Sequence, residues 1–138
     1  MGSDEVILLD THVAVWFAND TDDLGKQSNL ILDEALAGGT LAISAVSTWE
    51  IALLHTKKRL RLHESPVALR AQLLTAGVIE LSLTGEIALL SVELDDLHPD
   101  SADRFIAATA VIHDATLVTA DRRLLRWRHP VKRQDASK

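Results

Sequence analysis

The sequence contains no cysteine among its 138 residues, which removes disulfides and thiolate metal sites and suits a reducing cytoplasm. No apolar run approaches the ~18 residues of a membrane span, so no membrane partner is expected. The start lacks a basic segment leading into an apolar one, the pattern of a secretory leader, and Met1-Gly2-Ser3 is given no weight. Internal repeats, low-complexity segments and linker-like stretches are absent too, so residues 1–138 read as one domain. There is no excess of positive charge: the net charge of −6 argues against a protein that coats nucleic acid non-specifically.

What is present is an ordinary globular composition, 47% hydrophobic and 25% charged, long enough to bury a core without staples. The charge is uneven. Asp121 is followed by Arg122, Arg123, Arg126, Arg128, Lys132, Arg133 and Lys138, opposed only by Asp135, and Lys57, Lys58, Arg59 and Arg61 form a second basic cluster. Both fit solvated surface. Both also fit the rims of a nucleic-acid site in which metal ions offset acidic charge.

Val6-Ile7-Leu8-Leu9 is a short continuous apolar run, the pattern of a strand buried on both faces. A helix is expected from Thr11 to Ala18, a polar loop from Asn19 to Gly25, and a helix from Lys26 to Ala37 ended by Gly38-Gly39. Leu41-Ala42-Ile43 predicts a second strand. Helical spacing follows over Val46 to Lys57 and over Pro66 to Ala76, where proline suits a first turn. Val78 to Leu83 predicts a strand, Gly85 to Leu94 a helix, and His98-Pro99-Asp100 a loop. An alanine-rich helix from Ser101 to His113 leads into a strand at Thr116-Leu117-Val118-Thr119, with a weakly signalled strand near Val131. Strands alternating with helices imply an α/β fold, a parallel sheet of four to five strands covered on both faces.

In such sheets ligands bind beyond the carboxyl ends of the strands. Asp10 directly follows the first strand, Glu50 lies early in the helix after the second, and Asp121 comes two residues past Thr119. Asp103 begins the helix that feeds that late strand, and an antiparallel packing returns it to the same edge. Each acid has a local alternative. Asp10 fits a helix cap, Ser47-Thr48-Trp49-Glu50 a capping box, Asp103 a first-turn partner of the helix dipole, and Asp121 a cap.

Side-chain direction adds information. Glu50 sits within the apolar stripe Val46, Trp49, Leu53 and Leu54, and Asp103 shares a face with Ile106, Ala107 and Ala110. Inward carboxylates cost several kcal/mol unless paired or bound to a cation, and clustering them raises their pKa values. Arg104 is a candidate to neutralise them. An oxygen-only donor set selects a hard ion, Mg²⁺ or Mn²⁺.

Other chemistries fit poorly. The six histidines show no zinc-type spacing, Gly25-Lys26 lacks the upstream glycine of a P-loop, and neither GxGxxG nor GxSxG occurs. His12 adjoins the acidic rim, where it either orients substrate or is structural, and Trp16, Phe17 and Trp49 read as core.

Four segments resemble the VapC-type toxins of the PIN-domain family. They are Leu8-Leu9-Asp10-Thr11-His12-Val13 with Trp16, Ile43 through Ile51, His98 through Ala110, and Leu117-Val118-Thr119-Ala120-Asp121. Each is weak alone, but the ordered set spans nearly the whole chain. Ser101 departs from the pattern, since many relatives carry proline there, and the tail beyond Asp121 matches no motif.

The resemblance implies a three-layer α/β/α PIN-like fold and a catalytic, metal-binding site of Asp10, Glu50, Asp103 and Asp121. Thr119 is implied as a polar helper, with Asp100 and Arg104 as further supports. It also implies a homodimer, an RNA substrate such as tRNA or rRNA, a cognate antitoxin, and a cytoplasmic toxin of a bacterial toxin–antitoxin pair.

The expected chemistry is metal-assisted phosphodiester hydrolysis, with one ion acidifying a water and a second, about 4 Å away, stabilising the leaving oxygen. Arg122 and Arg123 are placed to hold flanking phosphates. Two rivals remain. An Mg²⁺-dependent phosphomonoesterase would want a second acid where His12 stands, and a PIN-like binding module would have lost its catalysis.

Overall fold

Continuous apolar strands need cover on both faces, and the chain supplies it from two sets of helices. The structure is a computed structural model that describes residues 5–138; Met1-Gly2-Ser3 lies outside the described residues. Five strands, β1 (Ile7–Leu9), β2 (Leu41–Ser44), β3 (Ile79–Leu81), β4 (Thr116–Thr119) and β5 (Lys132–Asp135), form one sheet among these residues. Their order is β3-β2-β1-β4-β5, and every neighbouring pair is parallel. The helices are α1 (Thr11–Asn19), α2 (Lys26–Gly38), α3 (Ala45–Thr56), α4 (Pro66–Ala76), α5 (Gly85–Glu93), α6 (Ser101–Ile112) and α7 (Arg122–Leu125).

Alternation along each strand divides the core in two. Ile7, Leu9, Leu41 and Ile43 pack with Val13, Leu32, Ile51 and Leu73 of α1 to α4. Leu8, Ala42 and Leu117 pack on the opposite face with Ile87, Ile106, Ala107 and Leu124 of α5 to α7. The result is the three-layer α/β/α arrangement that the strand–helix alternation implied. Leu117 is fully buried, and truncating such a side chain to alanine costs about 2–5 kcal/mol.

The central strand β1 has β2 on one side and β4 on the other. The sheet therefore grows one way from β1 to β3, then resumes on the other side at β4. A crevice opens beyond the carboxyl ends of β1 and β4, where such reversals place ligand sites.

Most elements fall within a residue or two of their expected bounds. Strand β3 is shorter than the run Val78 to Leu83, because it lies at the sheet edge and Ile79 is exposed there. Strand β5, Lys-Arg-Gln-Asp, contains no apolar residue and is held by its register on β4, from Thr116 opposite Lys132 to Thr119 opposite Asp135. The single-turn α7 was not anticipated, being too short for a helical period to register.

Two local readings need correction. The cap of α3 is Ser44, whose Oγ accepts from Val46 N at 3.0 Å, so Ser47 and Glu50 form no capping box. Ser47 instead accepts a hydrogen bond from Thr11 Oγ1 at 3.1 Å, tying α1 to α3. Trp49 is not core: it is 55% exposed. Trp16 and Phe17 do pack against the first core cluster.

Candidate active site

Each acid reaches the crevice by a local device. Asp10 ends β1 with its backbone N–H on Val118 O at 3.0 Å, which continues the ladder by one residue. Its Oδ1 accepts from Thr11 N at 2.8 Å and its Oδ2 from Thr119 Oγ1 at 2.7 Å. Thr119 Oγ1 accepts in turn from Asp121 N at 3.0 Å, so one buried hydroxyl fastens the acids after β1 and β4 to each other. Asp121 caps α7 through Arg123 N at 2.8 Å. Asp100 caps α6 by accepting from Asp103 N at 3.1 Å, which sets Asp103 in the first turn. Glu50 projects from the second turn of α3 and is half-buried. The capping readings of Asp10 and Asp121 thus hold alongside their place at the crevice.

These elements enclose a cleft of about 370 Å³ into which Asp10, Glu50, Asp100, Asp103 and Asp121 all open. Trp16 and Leu54 wall one part of it, and His12 and Arg123 complete its rim. Asp10 and Asp103 are buried, at 6% and 8% exposure.

Burial sets the electrostatics. It pushes the Asp10 carboxyl above its usual range, against the hydrogen bonds from Thr119 and Thr11. It also raises Glu50, with Asp10 and Asp100 adding repulsion. Asp103 is pushed up to about 6 by burial, against a hydrogen bond from His98, with Asp10, Asp100 and Asp121 adding repulsion. Asp121 goes the other way. Burial raises it, but hydrogen bonds and charge from Arg123 bring it below the ordinary value.

Sequence-predicted residues separate into three groups. Asp10, Glu50, Asp103 and Asp121 share the cleft with Asp100, and Thr119 lies beneath, bonded to Asp10. Arg104 does not neutralise the acids. Its guanidinium turns away and donates to the carbonyls of Ser91, Leu94 and Leu97 at 2.8, 2.6 and 2.8 Å, because the helix directs residues 103 and 104 about 100° apart. Arg122 is exposed and does not line the cleft; Arg123 does, with Nη2 3.2 Å from Asp121 Oδ2 and 3.6 Å from Asp103 Oδ2.

Sequence reasoning missed His98, whose Nε2 lies 2.7 Å from Asp103 Oδ2. Its signal was slight: a loop histidine five residues before a site acid, at no helical spacing.

The donor set suits a hard divalent cation. Oxygens predominate, burial holds three carboxyls above their ordinary pKa, and the guanidinium that pairs with Asp103 and Asp121 is exposed. His98, Asp103 and Asp121 each bring a ligand-type atom within 4.8 Å of the others.

Comparison with known proteins bears on the family and the fold. The PIN domain family model matches residues 7–129. Ribonuclease VapC22 of Mycobacterium tuberculosis (strain ATCC 25618 / H37Rv) is 38% identical over 125 residues, covering 90% of this chain and 93% of that protein. The structure of VapBC2 from Rickettsia felis bound to a promoter DNA fragment superposes with a TM-score of 0.67 at 19% identity, over 94% of this chain and 97% of that one. A toxin–antitoxin complex from Klebsiella pneumoniae gives 0.57 at 19% identity, over 87% and 91%. At these identities the structural matches speak to the fold.

Proposed function

The chain belongs to the PIN-domain family, and from that membership we propose that it is a metal-dependent endoribonuclease, the toxin of a toxin–antitoxin pair. The observation that carries the reading is the convergence of Asp10, Glu50, Asp103 and Asp121, from four separate elements, on one cleft. Its relative of 38% identity is a ribonuclease by name.

Asp10, Glu50, Asp103 and Asp121 hold the metal, Mg²⁺ or Mn²⁺. Such an ion supplies Lewis acidity at the phosphodiester and makes water nucleophilic near neutral pH. The carboxylates serve as ligands and form no covalent bond to phosphorus. Thr119 keeps Asp10 and Asp121 at a fixed spacing, and Asp100 adds negative charge at the mouth. Water oxygen would form the new bond to phosphorus and lose a proton to solvent; the ribose oxygen would leave with the bonding pair and take a proton from solvent.

Arg123 is suited to hold a substrate phosphate, being exposed at the rim and free to leave Asp121 once a cation replaces it. Beyond Leu54 in the chain come Lys57, Lys58, Arg59 and Arg61, all exposed, and Arg126 and Arg128 follow α7. We read them as a basic path for an RNA backbone. Arg122 belongs to that path rather than to the site.

The partners follow from the family. A cognate antitoxin is supported by the toxin–antitoxin complex among the structural neighbours. A second copy of this chain is the occupant we assign to the apolar hollow of Ala45, Val46, Trp49, Leu83 and Phe105, since exposed aromatic and aliphatic surface of this kind marks an interface. The RNA substrate, tRNA or rRNA, places its action in the cytoplasm. No helix among the described residues is long and apolar enough to cross a membrane.

Incubation of the purified protein with end-labelled total RNA, in Mg²⁺ or Mn²⁺ and with EDTA as control, tests the proposal. Discrete fragments that vanish with EDTA support it. Intact RNA with both metals, or cleavage indifferent to EDTA, contradicts it.

A further inference from the structure

Against Asp103 lies an imidazole that the four-acid site does not use. His98 Nε2 sits 2.7 Å from Asp103 Oδ2, and both side chains are 12% exposed. When Asp103 is ionised it only accepts, so Nε2 then carries the proton and donates. The other ring nitrogen, Nδ1, is buried without a hydrogen-bond partner. The Asp103 carboxylate is therefore the polar anchor of this ring.

The backbone that carries the ring is fastened by the residue after Asp103. Arg104 Nη2 donates to Leu94 O at 2.6 Å, and Nη1 donates to Leu97 O at 2.8 Å and His98 O at 3.3 Å. Pro99 follows and restricts the backbone of His98. One turn of α6 thus does two things: it presents Asp103 to the cleft and clamps the loop whose histidine grips Asp103.

That grip opposes a definite force. Asp10, Asp100 and Asp121 all repel the Asp103 carboxylate, and a free side chain would relieve the repulsion by rotating outward. His98 engages Oδ2, which also lies 3.6 Å from Nη2 of the cleft-lining Arg123, so the contact fixes the carboxyl where it meets the cleft.

We propose that His98 is a positioning residue, which holds the Asp103 carboxyl in the orientation that serves the divalent cation and does not itself ligate the ion. Hydrogen-bond partners of ligand side chains commonly contribute about 10- to 100-fold in metal affinity. The inference rests on Asp103 being a metal ligand, and the experiment separates failure of that premise from failure of the inference.

The experiment is calorimetric titration of Mn²⁺ into metal-free wild type, His98→Ala and His98→Gln, with pulsed EPR of the Mn²⁺-loaded wild type to look for directly bound ¹⁴N. Circular dichroism checks folding. His98→Phe, which fills the same space without a donor, replaces His98→Ala if the latter unfolds. We expect affinity to fall about tenfold or more in His98→Ala and to recover largely in His98→Gln, whose amide N–H has the reach of Nε2. Wild-type spectra should show no directly bound nitrogen. Equal affinity in wild type and His98→Ala overturns the proposal, as does absence of recovery in His98→Gln or a nitrogen bound to the ion. If wild type itself binds no Mn²⁺, the premise about Asp103 falls and the proposal falls with it.

Discussion

Thr119 Oγ1 donates to Asp10 Oδ2 at 2.7 Å across the seam between β4 and β1. Both residues are buried, and the same hydroxyl accepts from Asp121 N. Replacing Thr119 by valine keeps the shape but removes the donor. The expected loss is about 1–3 kcal/mol of stability in denaturant unfolding, because a buried carboxylate loses a partner. Thr119→Ser should recover most of it. Wild-type stability in Thr119→Val would mean that the hydroxyl does not support Asp10.

Asp103 gives the metal-free protein a pH signature. Its carboxyl is raised from 3.8 to about 6 in the folded chain, so the native state favours the protonated acid. Stability from this group is present below pH 4 and is lost as pH climbs through 6. Asp103→Asn removes that loss. Its melting temperature should match wild type near pH 3 and exceed it most from pH 7 upward, without metal. A difference constant with pH would show that Asp103 ionises normally.

Arg123 touches two of the acids, at 3.2 Å from Asp121 and 3.6 Å from Asp103. Arg123→Gln should bind Mn²⁺ a few-fold more tightly by calorimetry, since a competitor for the carboxylates is gone. The same variant should bind RNA more weakly in Ca²⁺, with the salt dependence of log K reduced by about one. Arg122→Gln, away from the cleft, should leave Mn²⁺ affinity unchanged. Parallel loss of metal and RNA affinity in Arg123→Gln would contradict this role.

How far these features were legible follows from what periodicity encodes. Strand–helix alternation and the acids just past β1 and β4 gave the sheet, its edge and the cleft residues Asp10 and Asp121. The apolar face shared by Asp103 with Ile106, Ala107 and Ala110 correctly turned it inward. Helical period also held the correction for Arg104: its neighbour faces the cleft, so it cannot. Trp49 stands in the same relation to Glu50 on α3, and its apolar character concealed that the outer face of the helix is uncovered. His98 and β5 depend on loop path and strand register, which no local pattern records.

Trp49 is 55% exposed beside Leu83 and Phe105, and the reading of this hollow as a self-association surface has a direct consequence. Trp49→Arg should convert a dimer into a monomer in light scattering while the melting curve stays cooperative. A wild type that is monomeric at every concentration tested would remove the second copy from the account.

The central claim is that the four clustered carboxylates bind a divalent ion and that this binding enables RNA cleavage. It is tested most directly by measuring Mn²⁺ affinity and RNA cleavage on the same preparations of wild type and Asp103→Asn. The account predicts that Asp103→Asn folds, melts at or above wild type without metal at pH 7, binds Mn²⁺ at least about tenfold more weakly, and leaves RNA uncut. Cleavage by Asp103→Asn at the wild-type rate, or loss of cleavage with wild-type Mn²⁺ affinity, would contradict it.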